Sequence, residues 1–120
     1  MTSTRVQATE PEDLARIWVE RANAGDAEGL AALYEPDAVM AFPMGVEHVG
    51  REAIRAAFEG MLKHVTHFED EETLPTLRIG DLALTSTSPA DRSRGRYQVA
   101  RRQSDGTWLR ILHSSGYFEE

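Results

Sequence analysis

The chain contains no cysteine, which excludes disulfide staples, zinc–thiolate centres and thiol nucleophiles. It has no run of about 18 uncharged apolar residues, so no membrane-spanning helix is expected. The amino-terminal MTSTRVQATEPEDL lacks a basic segment followed by an apolar one. These absences predict a soluble, cytoplasmic protein with no membrane partner. Positive charge is in deficit, with 13 Lys and Arg against 20 Asp and Glu and a formal charge of −7. Nucleic acid is therefore not an expected partner, because it is bound largely through surplus positive charge. The arginines of DRSRGRYQVARR are read as the solvated outer face of a strand.

Other chemistries fail for want of a pattern. None of the nine glycines forms the tight cluster between strand and helix that cradles phosphate. Ser114 and Ser115 stand beside His113, but neighbours on a strand face opposite ways, and no nucleophile-elbow glycines surround them. His64 and His67 in HVTH would likewise diverge in an extended segment, and no helix carries an HExxH pair, so no metal site is expected. Nothing in the sequence calls for a cofactor.

What is present fits one domain over residues 1–120, with residues 1–8 expected to be a flexible lead; 120 residues at 41% hydrophobic content can bury one core. TEPEDLARIWVERANAGD reads as a helix, with Thr9 and Glu12 at capping-box spacing and Leu14, Ile17, Trp18 and Arg21 at helical period. Gly25 ends it, and Asp26 caps a shorter helix whose Leu30, Leu33 and Tyr34 share a face until Pro36. Residues 38 to 42 form a short strand with VEHV as its partner. Ile54, Ala57, Phe58, Met61 and Leu62 mark a third helix running to about Lys63. Residues from about 65 to 79, DLALTSTS, GRYQVARRQ and WLRILHSSGYF read as strands, with turns at SPAD and SDGT. The acidic run EDEET is read as a solvated face or protected edge. The order of elements predicts an α+β fold with one curved antiparallel sheet wrapped around three amino-terminal helices.

Two sets of residues carry possible chemistry. Strand alternation places His113 in line with Leu109 and Ile111, which must face an apolar interior unless a bulge intervenes. A half-buried imidazole has its neutral form favoured by desolvation and can accept a proton near neutral pH. The alternative is a packed histidine hydrogen-bonded to Tyr97 or a main-chain group. Trp18, Tyr34, Phe42, Met44, Phe58 and Met61 lie on the apolar faces of their elements, as core side chains or as the lining of a concave end left open by the curved sheet.

The run NAGD, then ALY, PDAV, a turn and GREAIRAAF resembles the amino-terminal half of the nuclear transport factor 2-like superfamily, specifically its SnoaL-like and ketosteroid-isomerase-like small domains. GDLAL and VARRQSDGTWLRIL resemble the strand-turn-strand close of the same group, extending the likeness over residues 9 to 113. The resemblance implies a cone-shaped α+β fold enclosing a pocket and assembling as a homodimer. Its members include isomerases, polyketide cyclases, epoxide hydrolases, dehydratases and non-catalytic ligand-binding domains, so the fold does not decide the function. Phe42 stands where steroid isomerases place their carboxylate base, and Trp18 where they place a phenolic donor. Their second donor would fall near Gln98 or Val99. Relatives with a W-x-x-V/I-I-D ending place a carboxylate where this chain has His113.

The resulting expectation is a cofactor-independent pocket enzyme for isomerisation, cyclisation or elimination on a compact apolar small molecule. Its base is His113, with Trp18, Tyr34 or Tyr97 as hydrogen-bond donors and Phe42, Met44, Phe58, Met61, Leu62 and Ile111 around the ligand. The alternative is a non-catalytic hydrophobic-ligand-binding or dimerisation domain of the same fold.

Overall fold

The computed structural model describes residues 6–42, 45–88 and 95–114. Met44 and most of the SPAD turn lie outside the described residues.

Helix α1 spans Asp13–Asn23 and buries Leu14, Ile17, Arg21 and Ala22. Its amino terminus is organised differently from the expected capping box. The Asp13 carboxylate accepts from the main-chain N–H groups of Thr9 at 3.2 Å and Glu10 at 3.1 Å, tying down the chain that enters the helix. Residues 6 to 8 of the expected flexible lead are also held. Arg21 donates to the Val6 carbonyl, and the Ala8 carbonyl accepts from the Trp108 N–H at 3.0 Å. Gly25 takes a positive φ of 69° and closes α1. Asp26 then caps the short α2 (Ala27–Ala31) by accepting from the Gly29 N–H at 2.9 Å, as its position predicts.

Strand β1 runs Tyr34–Ala41, four residues earlier than the alternating pattern indicates. Tyr34 is therefore the first residue of a strand and not the last of a helix. The pairing of β1 with its neighbour shifts between Tyr34 and Val39, and this irregular stretch accommodates Pro36. The short β2 (Glu47–Val49) pairs antiparallel with β1. Helix α3 (Arg51–Leu62) follows the predicted period and buries Ile54 and Phe58. Of residues 65 to 79, only β3 (Glu72–Thr73) and β4 (Leu77–Ile79) are strands. The irregular segment before them is fixed by Asn23, whose side chain accepts from the Phe68 N–H at 2.8 Å and donates to the Phe68 carbonyl at 3.0 Å. Strands β5 (Leu82–Ser88), β6 (Arg96–Arg102) and β7 (Trp108–Ser114) complete the chain's order.

The strands form one curved, unclosed sheet in the order β2-β1-β7-β6-β5-β3, with β4 also on β5. The expected α+β cone is present. Its sheet is mixed, because β1 and β7, distant in sequence, lie side by side and parallel. The helices cover the concave face, where Leu14, Ile17, Leu30, Tyr34, Met40, Ile54, Phe58 and Trp108 make the core. Among the described residues, no helix is long and apolar enough to cross a membrane.

Candidate functional site

A bulge in β7 decides which side chains face the interior. Ala100 of β6 pairs with Arg110 and the preceding Val99 with Leu112, so Ile111 is the extra residue. Trp108 and Arg110 are buried before the bulge, Leu112 is exposed beyond it, and the His113 ring turns inward. The expected alignment of His113 with Leu109 and Ile111 is therefore corrected. His113 shares the inner face with Trp108 and Arg110, while Leu109 and Ile111 are half-buried and lie outside the core cluster. Ile111 is not a lining residue on this geometry.

Arg110 has room inside because its cross-strand neighbours are small. Ala100 faces it on β6 and Ala83 follows on β5, both buried. On the other side Tyr34 is its parallel partner on β1. The next inner row carries Met40, His113, Gln98 and Thr85 on successive strands. Gln98, not Val99, faces inward here, and its side-chain oxygen accepts from the Thr85 hydroxyl at 2.6 Å.

These rows converge on the Tyr34 hydroxyl, which lies 2.8 Å from His113 Nδ1 and 3.4 Å from an Arg110 guanidinium nitrogen. Burial raises the Tyr34 pKa, opposed by the Arg110 charge and its hydrogen bond and by the Trp18 indole. His113 retains some surface as a whole residue, but its Nε2 is fully enclosed. Burial pushes its pKa well below the ordinary 6.5, with the positive charges of Arg110 and Arg96 acting in the same direction. The imidazole is thus neutral at pH 7.

The tautomer follows from the neighbours. Tyr34 has two donor-only groups near its oxygen, Arg110 and Trp18, and one group able to accept, Nδ1 of His113. Its O–H therefore donates to Nδ1, which places the proton of the neutral ring on Nε2. Among the described residues Nε2 of His113 and Nε of Arg110 are buried without a hydrogen-bond partner, while Nε1 of Trp18 lies near the Tyr34 oxygen without a bond of good geometry.

Aromatic rings wall this cluster. Trp18 meets Phe58 edge-on with centroids 5.8 Å apart and Phe68 at 5.5 Å. Tyr34 lies 5.8 Å from Phe58 in a tilted arrangement. Phe42, Met61 and Leu62, with Trp18 and Phe68, are half-buried against the core. Of the sequence-derived candidates, Trp18, Tyr34, Phe58 and His113 come together around one hydroxyl. Tyr97 does not join them: it is 53% exposed on the outer face of β6, opposite to Gln98. The reading from sequence missed Arg110, Gln98 and Phe68. An open groove of about 650 Å³ lies at the other end of β7, beside Trp108, Gln103 and Arg21, and brings together no comparable set of unpartnered atoms among the described residues.

A mixed sheet curved around three helices is the architecture of the nuclear transport factor 2-like class. Solved structures share this architecture. A calcium/calmodulin-dependent protein kinase type II association domain from Thiobacillus denitrificans superposes with a TM-score of 0.78 at 17% identity, covering 95% of this chain and 99% of that one. A ketosteroid isomerase-like protein from Erwinia carotovora atroseptica gives 0.69 at 16% identity, covering 86% and 89%. Likeness at these identities concerns the fold alone. Residues 15–108 match the SnoaL-like domain family, and the chain belongs to it. Over 59 residues it is 37% identical to the epoxide hydrolase LasB of Streptomyces lasalocidi, a match covering 48% of this chain and 21% of that protein.

Proposed function

We propose that the protein is a cofactor-independent pocket enzyme that transfers a proton to or from a compact, largely apolar small molecule next to an electron-withdrawing group. Family membership and the partial likeness to an epoxide hydrolase support a small-molecule enzyme. The observation that carries the reading is the paired state of His113: a neutral, buried ring with one nitrogen on Tyr34 and the other unpartnered. In the free protein Nε2 carries the proton. A substrate oxygen that accepts from the Tyr34 hydroxyl takes away the donor at Nδ1. Exchange with water during substrate entry moves the ring proton from Nε2 to Nδ1, whose N–H donates to the Tyr34 oxygen, and Nε2 becomes the proton acceptor. Arg110, Tyr34 and Trp18 stand ready for the negative charge that develops on the substrate. Phe42, Phe58, Met61, Leu62 and Phe68 shape the space. Phe42 replaces the usual isomerase carboxylate, so that family's standard steroid chemistry is not assigned.

Base-promoted ring opening of 5-nitrobenzisoxazole is a direct probe of such a base. Turnover above that of an equal concentration of free imidazole is expected, falling about 100- to 10,000-fold in His113→Ala. Turnover that His113→Ala leaves unchanged removes His113 from the mechanism, and no turnover above imidazole rejects the enzyme reading.

The working unit is proposed to be a homodimer formed through the outer sheet face. Val49, Val39, Leu112, Val99, Leu84 and Leu77 align in register across β2, β1, β7, β6, β5 and β4. Val49, Leu112, Leu84 and Leu77 are exposed. At the usual strand spacing the row is about 24 Å wide. That width suits a standard interface of about 800 Å² per partner, and an all-aliphatic row is complementary to its own two-fold copy.

A further inference from the structure

The interior cluster holds a buried positive charge, that of Arg110. Arg110 is 3% exposed, its Nε has no partner, and its contact with the Tyr34 hydroxyl is long at 3.4 Å. Among the described residues no carboxylate pairs with it. Burying a charge in this way is strongly unfavourable unless something completes it. Arg21, also buried, shows the usual solution: it donates to the main-chain carbonyls of Gly29 and Val6. What the buried Arg110 cation lacks is an anionic acceptor.

We propose that this cluster is a seat for the carboxylate of a compact, otherwise apolar acid. Arg110 supplies the counter-charge through the edge of its guanidinium that carries the unpartnered Nε. A guanidinium presents a planar fork that matches a carboxylate. One cation fits a monoanion better than a phosphate dianion, since Arg96, the other positive charge acting on His113, is engaged with Glu71 at 2.5 Å. The walls of Trp18, Phe58 and Phe68 leave only the acid group of the ligand polar. Phe42, Met61 and Leu62 are half-buried against the same core. The proposal names the charged group of the substrate in the reading above; it rests on that reading for the pocket but not on His113 as base.

The test compares acids with their uncharged isosteres. Binding of benzoate and isobutyrate is measured against benzamide and isobutyramide by calorimetry, with the His113 ring followed by NMR. At least one acid should bind the wild-type protein tenfold or more tightly than its amide. Its binding should raise the His113 pKa, because a carboxylate beside the ring favours imidazolium. Arg110→Met should bring acid and amide to parity. The wild-type preference does not depend on how that variant folds. Equal binding of acid and amide, or an acid preference that persists in Arg110→Met, overturns the seat. His113→Ala separates the two ideas. Acid preference retained there while nitrobenzisoxazole turnover proves independent of His113 leaves the seat standing and the base reading fallen.

Discussion

The Tyr34 hydroxyl lies 2.8 Å from Nδ1 of His113, with the two rings stacked at 16° and their centroids 6.0 Å apart. Two elements far apart in sequence are joined by this contact, which sets the direction of the imidazole and its tautomer. Replacing Tyr34 by Phe keeps the ring and deletes the hydroxyl. Nδ1 is then a buried acceptor without a donor, a loss of about 1 to 3 kcal/mol. Urea unfolding should register that decrease, and ¹⁵N shifts of His113 should lose the preference for the Nε2–H form. An unchanged tautomer would mean that another group sets it.

Acid should destabilise the protein through the same residue. His113 has its pKa depressed in the folded state, principally by burial, while in the unfolded chain it titrates near 6.5. Below that value the unfolded state binds a proton that the folded state refuses. The stability contribution is therefore complete above pH 6.5 and declines as pH falls toward the folded-state value, by up to about 1.4 kcal/mol per pH unit. In His113→Gln this component of the slope should vanish between pH 6.5 and 5. Parallel pH profiles for variant and wild type would assign the acid sensitivity elsewhere.

Much of this architecture is legible in the sequence, and the parts that are not share a cause. Helices α1 and α3 follow from the spacing of Leu14 and Ile17 and of Ile54 and Phe58, which is local information. The Asp26 cap is local too. The inner face of β7 is not. WLRILH alternates equally well in either phase, and the choice is made by a bulge that exists only in the pairing with β6. Alternation therefore set Leu109 and Ile111 inside, when Trp108 and Arg110 are there. Tyr34 fits the face of α2 by period, yet its pairing with Arg110 draws it into β1. His113 stands out in the sequence because an ionisable residue on an apolar strand is conspicuous in any phase. Arg110 was missed because an arginine beside strand residues is ordinarily solvated. The signal that could have found it is Trp108 two residues earlier, since a strand that buries Trp108 carries Arg110 inward.

The outer aliphatic row makes its own prediction. Leu112 is 50% exposed at the middle of that row, clear of the core. Leu112→Glu should halve the mass found by light scattering at micromolar concentration. Far-UV circular dichroism should be preserved, because a surface change of this kind alters the fold's own stability by about 0.5 kcal/mol or less. A wild-type protein that already runs as a monomer would assign the row another role.

Arg110 should cost stability in the absence of ligand, and this separates a functional residue from a structural one. A guanidinium without a counter-charge in the interior is disfavoured by desolvation, and among the described residues its contacts with Tyr34 are weak, a long hydrogen bond and a ring centroid 5.9 Å from the guanidinium carbon. Methionine has a similar length and fills the same space beside Ala83 and Ala100 without carrying charge. Replacement of buried ionic groups by apolar residues of like volume is often neutral or stabilising by about 1 to 4 kcal/mol. Arg110→Met should accordingly unfold at a urea midpoint equal to or above that of the wild type. A benzoate-saturated wild type should move upward relative to the variant, since only the wild type gains the anion. A variant that loses several kcal/mol instead would show that Arg110 holds the interior together by contacts of its own, and its presence would then require no ligand to explain it.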